Sequence, residues 1–366
     1  MPINLSKFKY LDIPQFIAII LISLAGLALL YSTSFASEQL NIFWRQTIFF
    51  VVGWALFLFF AFFDYHNLAK RQRYFYIIIL IFLIYLEIFG TTIRGGNRWI
   101  TLGFFNFQPA EFAKIICILG ISRILYLQRG SVNSKLNIVR ILTFIAIPTL
   151  LVLMEPDLGS ALVISGIGIL SLFISPISKK YILALCVIGI ILAGASWKFF
   201  LQDFQKNRIK IFLNPNMDIK GEGYNVRQAV VAVGSGKIFG KGLALGSQSQ
   251  NKFLPERQTD FIFAASAEQV GFTGSLTLIF LYFFIAYRLL HIMKYAKDDL
   301  GYYIAGGVFF LFIIHTLVNI GMNIGLLPVT GIPLPFLSAG GSFFLTLMIS
   351  FGISQNVSLQ SKILRF

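Results

Sequence analysis

Charged side chains are scarce in this chain of 366 residues. Asp, Glu, Lys and Arg make up 12% of it, whereas 57% of the residues are hydrophobic and 16% are aromatic. The mean hydropathy is +0.79. Soluble domains carry roughly 25% charged residues, about twice this share. The shortage of charge therefore excludes an ordinary soluble protein and indicates a chain that lies in lipid.

Cysteine and histidine are nearly absent as well. The two cysteines, Cys117 and Cys186, both fall inside apolar runs. Cysteines in such runs are ordinarily buried apolar thiols, so we expect no disulfide framework. The three histidines and two cysteines form no cluster in the sequence that would hold a transition metal tightly.

Apolar runs of about 17 to 25 residues, enough to cross roughly 30 Å of hydrocarbon, recur from end to end. Together with the breaker residues they predict ten membrane-spanning helices. These helices are expected near residues 14–33, 43–63, 74–90, 109–127, 139–154, 158–176, 180–199, 262–288, 301–324 and 341–357. No stretch of soluble-domain length remains. We expect an all-α integral membrane protein that forms one polytopic domain over residues 1–366.

Lys and Arg cluster in alternate loops of this ten-span arrangement, whereas the short opposite loops at 36–41 and 155–158 contain none. By the positive-inside rule the basic loops are cytoplasmic, and both termini then lie on the same side. The segment from about Phe200 to Phe261, between spans 7 and 8, becomes a long extracytoplasmic loop. Loops of such length usually carry function.

Within this long loop, Val226 to Val233 predicts a short amphipathic helix against the outer leaflet. A glycine-rich turn follows it. Exposed backbone N–H groups of that turn, with Lys237 and Lys241, would suit an anion. An interfacial loop with ordinary turn glycines is the alternative.

Asp260 stands directly before the apolar run of span 8, in the stretch "FLPERQTDFIFA". A carboxylate at the edge of hydrocarbon loses hydration, which favours its acting as a proton acceptor near neutral pH. Arg257, one helical turn earlier, would oppose proton uptake, because its positive charge favours the ionised carboxylate. The alternative is that Thr259 or Asp260 merely caps the helix that follows.

Other polar residues are predicted at or near membrane depth. Glu111 and Lys114 are three residues apart at the start of span 4, as a structural ion pair or as a functional pair lining a cavity. Glu155 and Asp157 flank Pro156 at an external boundary, where helix capping explains Asp157.

Span 9 carries His315, Asn319 and Asn323 on one face, four residues apart. A segment rich in Pro and Gly, from 325 to 341, comes next. Such non-helical backbone is tolerated at membrane depth only where protein or a water-filled cavity surrounds it. The segment is either a functional feature or a structural helix breaker.

Together these segments resemble the SEDS family (shape, elongation, division and sporulation), which are polytopic peptidoglycan polymerases. The resemblance covers almost the whole chain in family order, and within the family it favours the members that act in cell elongation and rod shape. The matching stretches are "GGNRWI" 95–100, "QPAEFAK" 108–114, "EPDLGSAL" 155–162, "GYNVRQAVVAVGSGKIFGKG" 223–242, "FLPERQTDFIFA" 253–264 and "NIGLLPVTGIPLPFLSAGGS" 323–342. One departure is Glu155, where the family often has Gln.

The resemblance implies glycosyl transfer from lipid II, the lipid-linked disaccharide-pentapeptide, on the external membrane face. The essential aspartate of the family corresponds to Asp260. In the implied mechanism, the GlcNAc 4-hydroxyl of one lipid II attacks the MurNAc anomeric carbon of a growing strand. Undecaprenyl pyrophosphate leaves and the configuration inverts, a reaction that needs a carboxylate base and cations for the leaving group.

The candidate substrate-binding residues are Arg94, Arg98, Trp99, Glu111, Lys114, Arg227, Lys237, Lys241, Glu256, Arg257 and Ser338. The sequence does not rank the cations among them. A divalent ion, Mg²⁺ or Mn²⁺, that bridges Asp260 or Glu111 to the pyrophosphate is compatible with these oxygen ligands. The sequence does not indicate which of these two metals would bind.

The resemblance further implies location in the bacterial cytoplasmic (inner) membrane. The implied partners are lipid II, the nascent glycan strand, a class B penicillin-binding protein as transpeptidase and other membrane proteins of the elongation complex, but no nucleic acid. The chain offers no soluble domain that would hold a Ser-x-x-Lys crosslinking site. The alternatives are a lipid II flippase and a scaffold for a partner synthase. A flippase needs a polar route across the whole membrane, but the unusual charges gather at the external face.

Overall fold

The computed structural model describes residues 9–35, 40–93, 96–103, 105–128, 134–199, 203–214, 217–218, 221–250 and 253–363. Ten long helices account for most of these residues, which agrees with the predicted spans. In chain order the helices are α1 (Ile13–Phe35), α2 (Leu40–Phe62), α3 (Tyr65–Phe89), α4 (Pro109–Leu127), α5 (Lys135–Met154), α6 (Leu158–Phe173), α7 (Lys179–Phe199), the shorter α8 (Asp203–Leu213), α9 (Glu222–Ser235) and α10 (Ser247–Gln250), then α11 (Ile262–Lys294), α12 (Asp299–Asn323) and α13 (Gly341–Ile363).

Seven of the described helices are long and apolar enough to cross a membrane: α1, α2, α3, α5, α11, α12 and α13. Helix α6 is a shorter apolar helix of 16 residues. Helix α4 has 19 residues and buries Glu111 and Lys114 in its first two turns. The chain is therefore a multi-pass, mostly helical membrane protein, as predicted. Cys117 is a buried free thiol in α4, and the side chain of Cys186 lies outside the described residues.

Helix α13 runs through the middle of the bundle and packs against α2, α4, α11 and α12. Within its spanning stretch 94% of the residues are buried, against 22% for α3. Because α13 faces protein rather than lipid, it tolerates polar side chains that bond to neighbouring helices. Gln355 Nε2 donates to Gln15 Oε1 at 2.7 Å, and Asn356 Nδ2 donates to the carbonyl of Ala61 at 2.8 Å.

A three-stranded antiparallel sheet, which the sequence analysis did not predict, joins α3 to α4. Its strands are β1 (Thr91–Ile93), β2 (Gly96–Leu102) and β3 (Phe105–Phe107), in that order across the sheet. Ile100 pairs with Phe107 and Thr101 pairs with Asn106. Strand β3 is followed directly by Gln108, the N-cap residue of α4. We call the end of the bundle that carries this sheet and the α7–α11 segment the outer end.

The α7–α11 segment contains helices α8, α9 and α10. Helix α9 includes the predicted amphipathic stretch 226–233 and is followed by the predicted turns. Helix α9 packs against α11, and Ala229, Ala232, Leu254, Phe261 and Ala264 form a small buried cluster between them. This cluster places the segment directly over the beginning of α11.

Candidate active site

Asp260 lies in a series of turns, residues 255–261, immediately before α11. The N-cap residue of α11 is Phe261, whose own side chain makes no capping hydrogen bond. The alternative that Thr259 or Asp260 serves as the N-cap is therefore wrong. Asp260 is partly exposed at the outer end.

Two asparagines of α12 hold the backbone of Asp260. Asn319 Nδ2 and Asn323 Nδ2 donate to the carbonyl of Asp260 at 3.0 Å and 2.9 Å. Asn323 Oδ1 also accepts from the N–H of Ala264 at 3.0 Å, in the first turn of α11. Both asparagines are fully buried. The predicted polar stripe of span 9 is therefore confirmed, and it ties Asp260 to the bundle core.

The segment 324–340, which follows α12, supports the same turns from another side. Ser338 Oγ donates to the carbonyl of Thr259 at 2.7 Å, and the N–H of Ala339 donates to the carbonyl of Gln258 at 2.8 Å. Ser338 Oγ also accepts from the N–H of Leu334 at 2.8 Å. Three successive carbonyls, from 258 to 260, are thus each held by a hydrogen bond. Such support pre-organises a reacting group. Ser338, a candidate substrate-binding residue, here supports the backbone.

Arg257 is buried, with 7% of its surface exposed. Its guanidinium donates to the carbonyl of Ser249 and to the carbonyl of Thr33, the latter at 3.4 Å. Burial lowers the pKa of the Arg257 guanidinium. Glu256 is exposed, with φ of 48°, and its Oε2 accepts from Thr259 Oγ1 at 3.2 Å. Arg257 therefore anchors these turns to α1, whereas Glu256 faces outward.

Glu268, which the sequence analysis did not single out, organises the α9–α11 connection. It is fully buried on α11, and its Oε1 accepts from Lys241 Nζ at 2.9 Å and from the N–H of Gln248 at 2.8 Å. Its Oε2 accepts from the N–H of Ser249 at 2.8 Å. Lys241 is therefore engaged in an ion pair. A carboxylate inside a predicted span was the signal for Glu268, because such a group is costly in lipid unless it is paired.

The glycine-rich turn packs backbone against backbone on α11. Gly240 and Gly271 have φ of 79° and 68°, and a Cβ atom on Gly240 would lie 2.2 Å from the carbonyl oxygen of Gln269. The N–H of Gly242 donates to that same carbonyl at 3.0 Å, and the N–H of Lys241 donates into α11 as well. The expectation that the N–H groups of this turn are exposed is therefore wrong at Lys241 and Gly242, because they bond to protein carbonyls.

Lys237 differs from Lys241. Its side chain is exposed, and none of the described acidic residues pairs with it. Its φ of 49° is uncommon for any residue other than glycine. A cleft of about 450 Å³ is bounded by residues 235–241 and includes both lysines. An anion could reach Lys237 there. Arg227, on α9, is partly exposed.

Glu111, Lys114 and His315 form a buried cluster inside the bundle. Lys114 Nζ lies 2.8 Å from Glu111 Oε1 and 3.3 Å from His315 Nε2. At most 4% of either charged side chain is exposed. The predicted ion pair is confirmed. The three groups are linked by hydrogen bonds and closed off from solvent, and Glu111 Oε2 has no partner among the described residues.

The sheet carries two further candidates. Arg98 Nε donates to the carbonyl of Glu155 at 3.2 Å, and its guanidinium also donates to the carbonyl of Pro156. Trp99 follows it on β2 and is partly exposed. Arg94 lies outside the described residues. Arg98 thus fastens the sheet to the α5–α6 connection.

Asp157 and Glu155 lie in that connection. Asp157 Oδ1 accepts from the N–H of Ser160 at 3.0 Å, which confirms the predicted cap of α6, and Oδ2 accepts from Gln108 Nε2 at 3.1 Å. Glu155 is 1% exposed, and neither of its carboxyl oxygens has a partner among the described residues. Burial, with the charges of Asp157 and Glu87, raises the pKa of Glu155 to about 8. Its carboxyl is therefore largely neutral at neutral pH.

The structure thus brings Asp260 together with supporting residues of four elements, and it disperses the predicted substrate-binding residues. Lys237 and Glu256 are exposed around the outer end, whereas Lys114 and Glu111 are deep in the bundle. Among the described residues, no group of three or more His, Cys, Asp or Glu converges as a metal site would. The arrangement provides one partly exposed carboxylate, that of Asp260, on a backbone that is held by hydrogen bonds.

Residues 13–363 match the family described as cell cycle protein, FtsW/RodA/SpoVE. The chain is 40% identical over 292 residues to peptidoglycan glycosyltransferase MrdB of Escherichia coli K12, a match that covers 80% of this chain and 78% of MrdB. It is 30% identical to peptidoglycan glycosyltransferase RodA of Treponema pallidum, over 97% of this chain and 98% of that protein.

Two solved structures have the same fold. One is a chain from a peptidoglycan synthase complex described for its coordination of polymerization and crosslinking, with a TM-score of 0.81 and 24% identity over 96% of this chain and 98% of that chain. The other is the rod shape determining protein RodA of Thermus thermophilus, with a TM-score of 0.71 and 22% identity over 95% of this chain and 96% of that chain.

Proposed function

Because the chain belongs to the FtsW/RodA/SpoVE family of cell cycle proteins, we propose that it is a peptidoglycan glycosyltransferase that polymerises lipid II. The observation that carries the proposal is the mounting of Asp260. Hydrogen bonds from Asn319, Asn323, Ser338 and Ala339 hold three successive carbonyls around it, while it remains partly exposed at the outer end.

In the proposed reaction, Asp260 takes the proton of the GlcNAc 4-hydroxyl of one lipid II. The hydroxyl oxygen bonds to the MurNAc anomeric carbon of the growing strand as the bond from that carbon to the pyrophosphate oxygen breaks. Undecaprenyl pyrophosphate leaves with the bonding electrons, and the configuration at the carbon inverts. A single carboxylate base fits an inverting transfer, which needs no covalent intermediate on the protein.

Cations would stabilise the charge on the departing pyrophosphate. Lys237 is the best described candidate, because it is exposed and has no acidic partner among the described residues. Lys241 is paired with Glu268, and Arg257 is bonded to backbone carbonyls. Lys241 and Arg257 therefore stabilise the structure around the site, and they do not bind the phosphates.

A divalent cation, Mg²⁺ or Mn²⁺, fits Asp260 better than Glu111. Such ions prefer oxygen ligands and share them with substrate phosphates. The carboxylate of Asp260 is partly exposed, whereas Glu111 is buried and bonded to Lys114. An ion at Asp260 would have to take most of its ligands from water and substrate. It would supply charge neutralisation at the pyrophosphate.

The outer end would then face away from the cytoplasm, with both termini inside and the protein in the cytoplasmic (inner) membrane of a bacterium. A class B penicillin-binding protein is the proposed crosslinking partner, with other membrane proteins of the elongation complex. The likeness to a chain of a peptidoglycan synthase complex supports the proposal of a crosslinking partner. A lipid II flippase is the less favoured function, because the deep polar side chains of Glu111, Lys114 and His315 are buried and do not open to solvent.

Purified protein in liposomes that contain lipid II tests the proposal. Wild type should form glycan strands, and Asp260→Asn should form none while it keeps the wild-type melting temperature. Asp203→Asn, the same change at an exposed position of α8, is the matched control and should remain active. Polymerisation by Asp260→Asn at the wild-type rate would refute the base assignment. Lipid II translocation without polymer would favour the flippase.

A further inference from the structure

His315 lies between the buried ion pair and the segment that supports Asp260. It is fully buried on α12. Its Nδ1 lies 3.1 Å from the carbonyl oxygen of Pro333, and its Nε2 lies 3.3 Å from Lys114 Nζ. A carbonyl oxygen only accepts hydrogen bonds, and an ammonium group only donates them. Nδ1 must therefore carry the proton, and Nε2 must accept from Lys114, which makes the ring a neutral imidazole with a defined tautomer.

The carbonyl that His315 holds belongs to the same chain segment that contacts the turns before Asp260. One helical turn along α12, Asn319 Nδ2 donates to the carbonyl of Ile332 at 2.8 Å. Helix α12 thus holds two neighbouring carbonyls of this non-helical segment. Five residues after Pro333, Ser338 donates to the carbonyl of Thr259. A displacement of Pro333 would therefore be passed to the backbone beside Asp260.

The ring of His315 has little freedom to move. It stacks on the ring of Phe343 with centroids 4.6 Å apart and an interplanar angle of 28°. Lys114 Nζ lies 5.7 Å from the centroid of that same ring. Two hydrogen bonds and a stacked ring fix both the position and the orientation of the imidazole. A side chain that only filled space would need neither hydrogen bond.

We propose that His315 is a positioning residue for the glycosyl transfer, which joins the Glu111–Lys114 ion pair to the Pro333 backbone and so sets the placement of Asp260. The inference rests on the proposed function. His315 touches neither substrate nor the reacting carboxylate. Its effect is therefore expected on the turnover number, which depends on the placement of Asp260, and not on the KM for lipid II.

Three substitutions of His315 distinguish the contributions of its two hydrogen bonds. Asn keeps an N–H near the place of Nδ1 and can still donate to Pro333. Gln places its amide near the position of Nε2 and can accept a hydrogen bond from Lys114. Phe fills the volume and makes neither bond. We expect kcat to fall on the order of tenfold in His315→Phe and in His315→Gln, with KM near the wild-type value, and His315→Asn to recover most of the loss.

Rates of lipid II polymerisation are measured in liposomes for the three variants and for Thr316→Val, and melting temperatures are measured for each. Thr316 is the neighbouring buried residue, and its hydroxyl donates to the Phe312 carbonyl within α12, so its variant should keep the wild-type kcat. Selective loss of kcat with recovery by Asn supports the proposal. A wild-type kcat in His315→Phe, equal losses in the Asn and Gln variants, or losses that follow the melting temperature would overturn it. An inactive wild type would instead refute the proposed function.

Discussion

Replacement of Glu155 by glutamine should stabilise the protein at alkaline pH. Burial raises the pKa of Glu155 from an ordinary 4.5 to about 8, and neither carboxyl oxygen has a partner among the described residues. One pKa unit corresponds to about 1.4 kcal/mol, so ionisation of Glu155 costs the folded protein up to about 5 kcal/mol. Glutamine has the same shape as the neutral acid and cannot ionise.

The sign of this effect follows from proton binding. Between pH 4.5 and 8 the folded protein keeps a proton on Glu155 that the unfolded chain releases, so stability falls as the pH rises through this range. Wild type and Glu155→Gln should therefore have similar melting temperatures near pH 5. The variant should be several degrees more stable near pH 8.5.

Tryptophan fluorescence in detergent, recorded during heating at half-unit steps from pH 5 to 9, measures this difference. Asp203→Asn is the control, because it also replaces a carboxylate by an amide, at an exposed position of α8 whose charge does not act on Glu155. A Glu155→Gln variant with the same pH dependence as wild type would refute the reasoning, since the buried carboxyl would then not be the group that titrates.

Two further predictions concern the support and the cations of the site. Asn323→Leu should lower kcat for lipid II polymerisation at least tenfold, because Asp260 loses one of its two carbonyl donors; an unchanged kcat would contradict this role. Lys237→Ala should raise the KM for lipid II and leave the melting temperature unchanged. Lys241→Ala should lower stability by about 1–3 kcal/mol, because Glu268 loses its cation; identical effects of the two lysine variants would contradict the distinction.

The sequence predicts where spans lie better than where helices end. Helix α1 was expected at 14–33 and is found at Ile13–Phe35. Helix α13 was expected to end at 357 and continues to Ile363, because its polar residues after 354 bond to other helices instead of meeting lipid. Helix α3 begins at Tyr65 rather than 74, through the basic residues Lys70, Arg71 and Arg73. Hydropathy reports the lipid boundary, and a helix can extend beyond it.

The sheet β1–β3 was missed because short strands depend on pairing partners, which hydropathy does not reveal. Asp260 was singled out from its place beside an apolar run and from the family resemblance. Its support by Asn319 and Asn323 was not foreseen, since these residues are 59 and 63 positions away in the chain. Their spacing predicted a shared helix face but not what that face contacts. The same limit explains why the ion pair of Lys241 with Glu268 was missed.

The central place of α13 has a consequence for biogenesis. Its spanning stretch has a mean hydropathy of 1.3, the lowest among the seven described spans that qualify, and α2, α4 and α12 are made before it. A segment so weakly apolar is stabilised little by contact with lipid alone. It is stabilised mainly by packing between helices that are already inserted. Until α13 is inserted, the faces of α2, α4, α11 and α12 that pack against it would lack their partner.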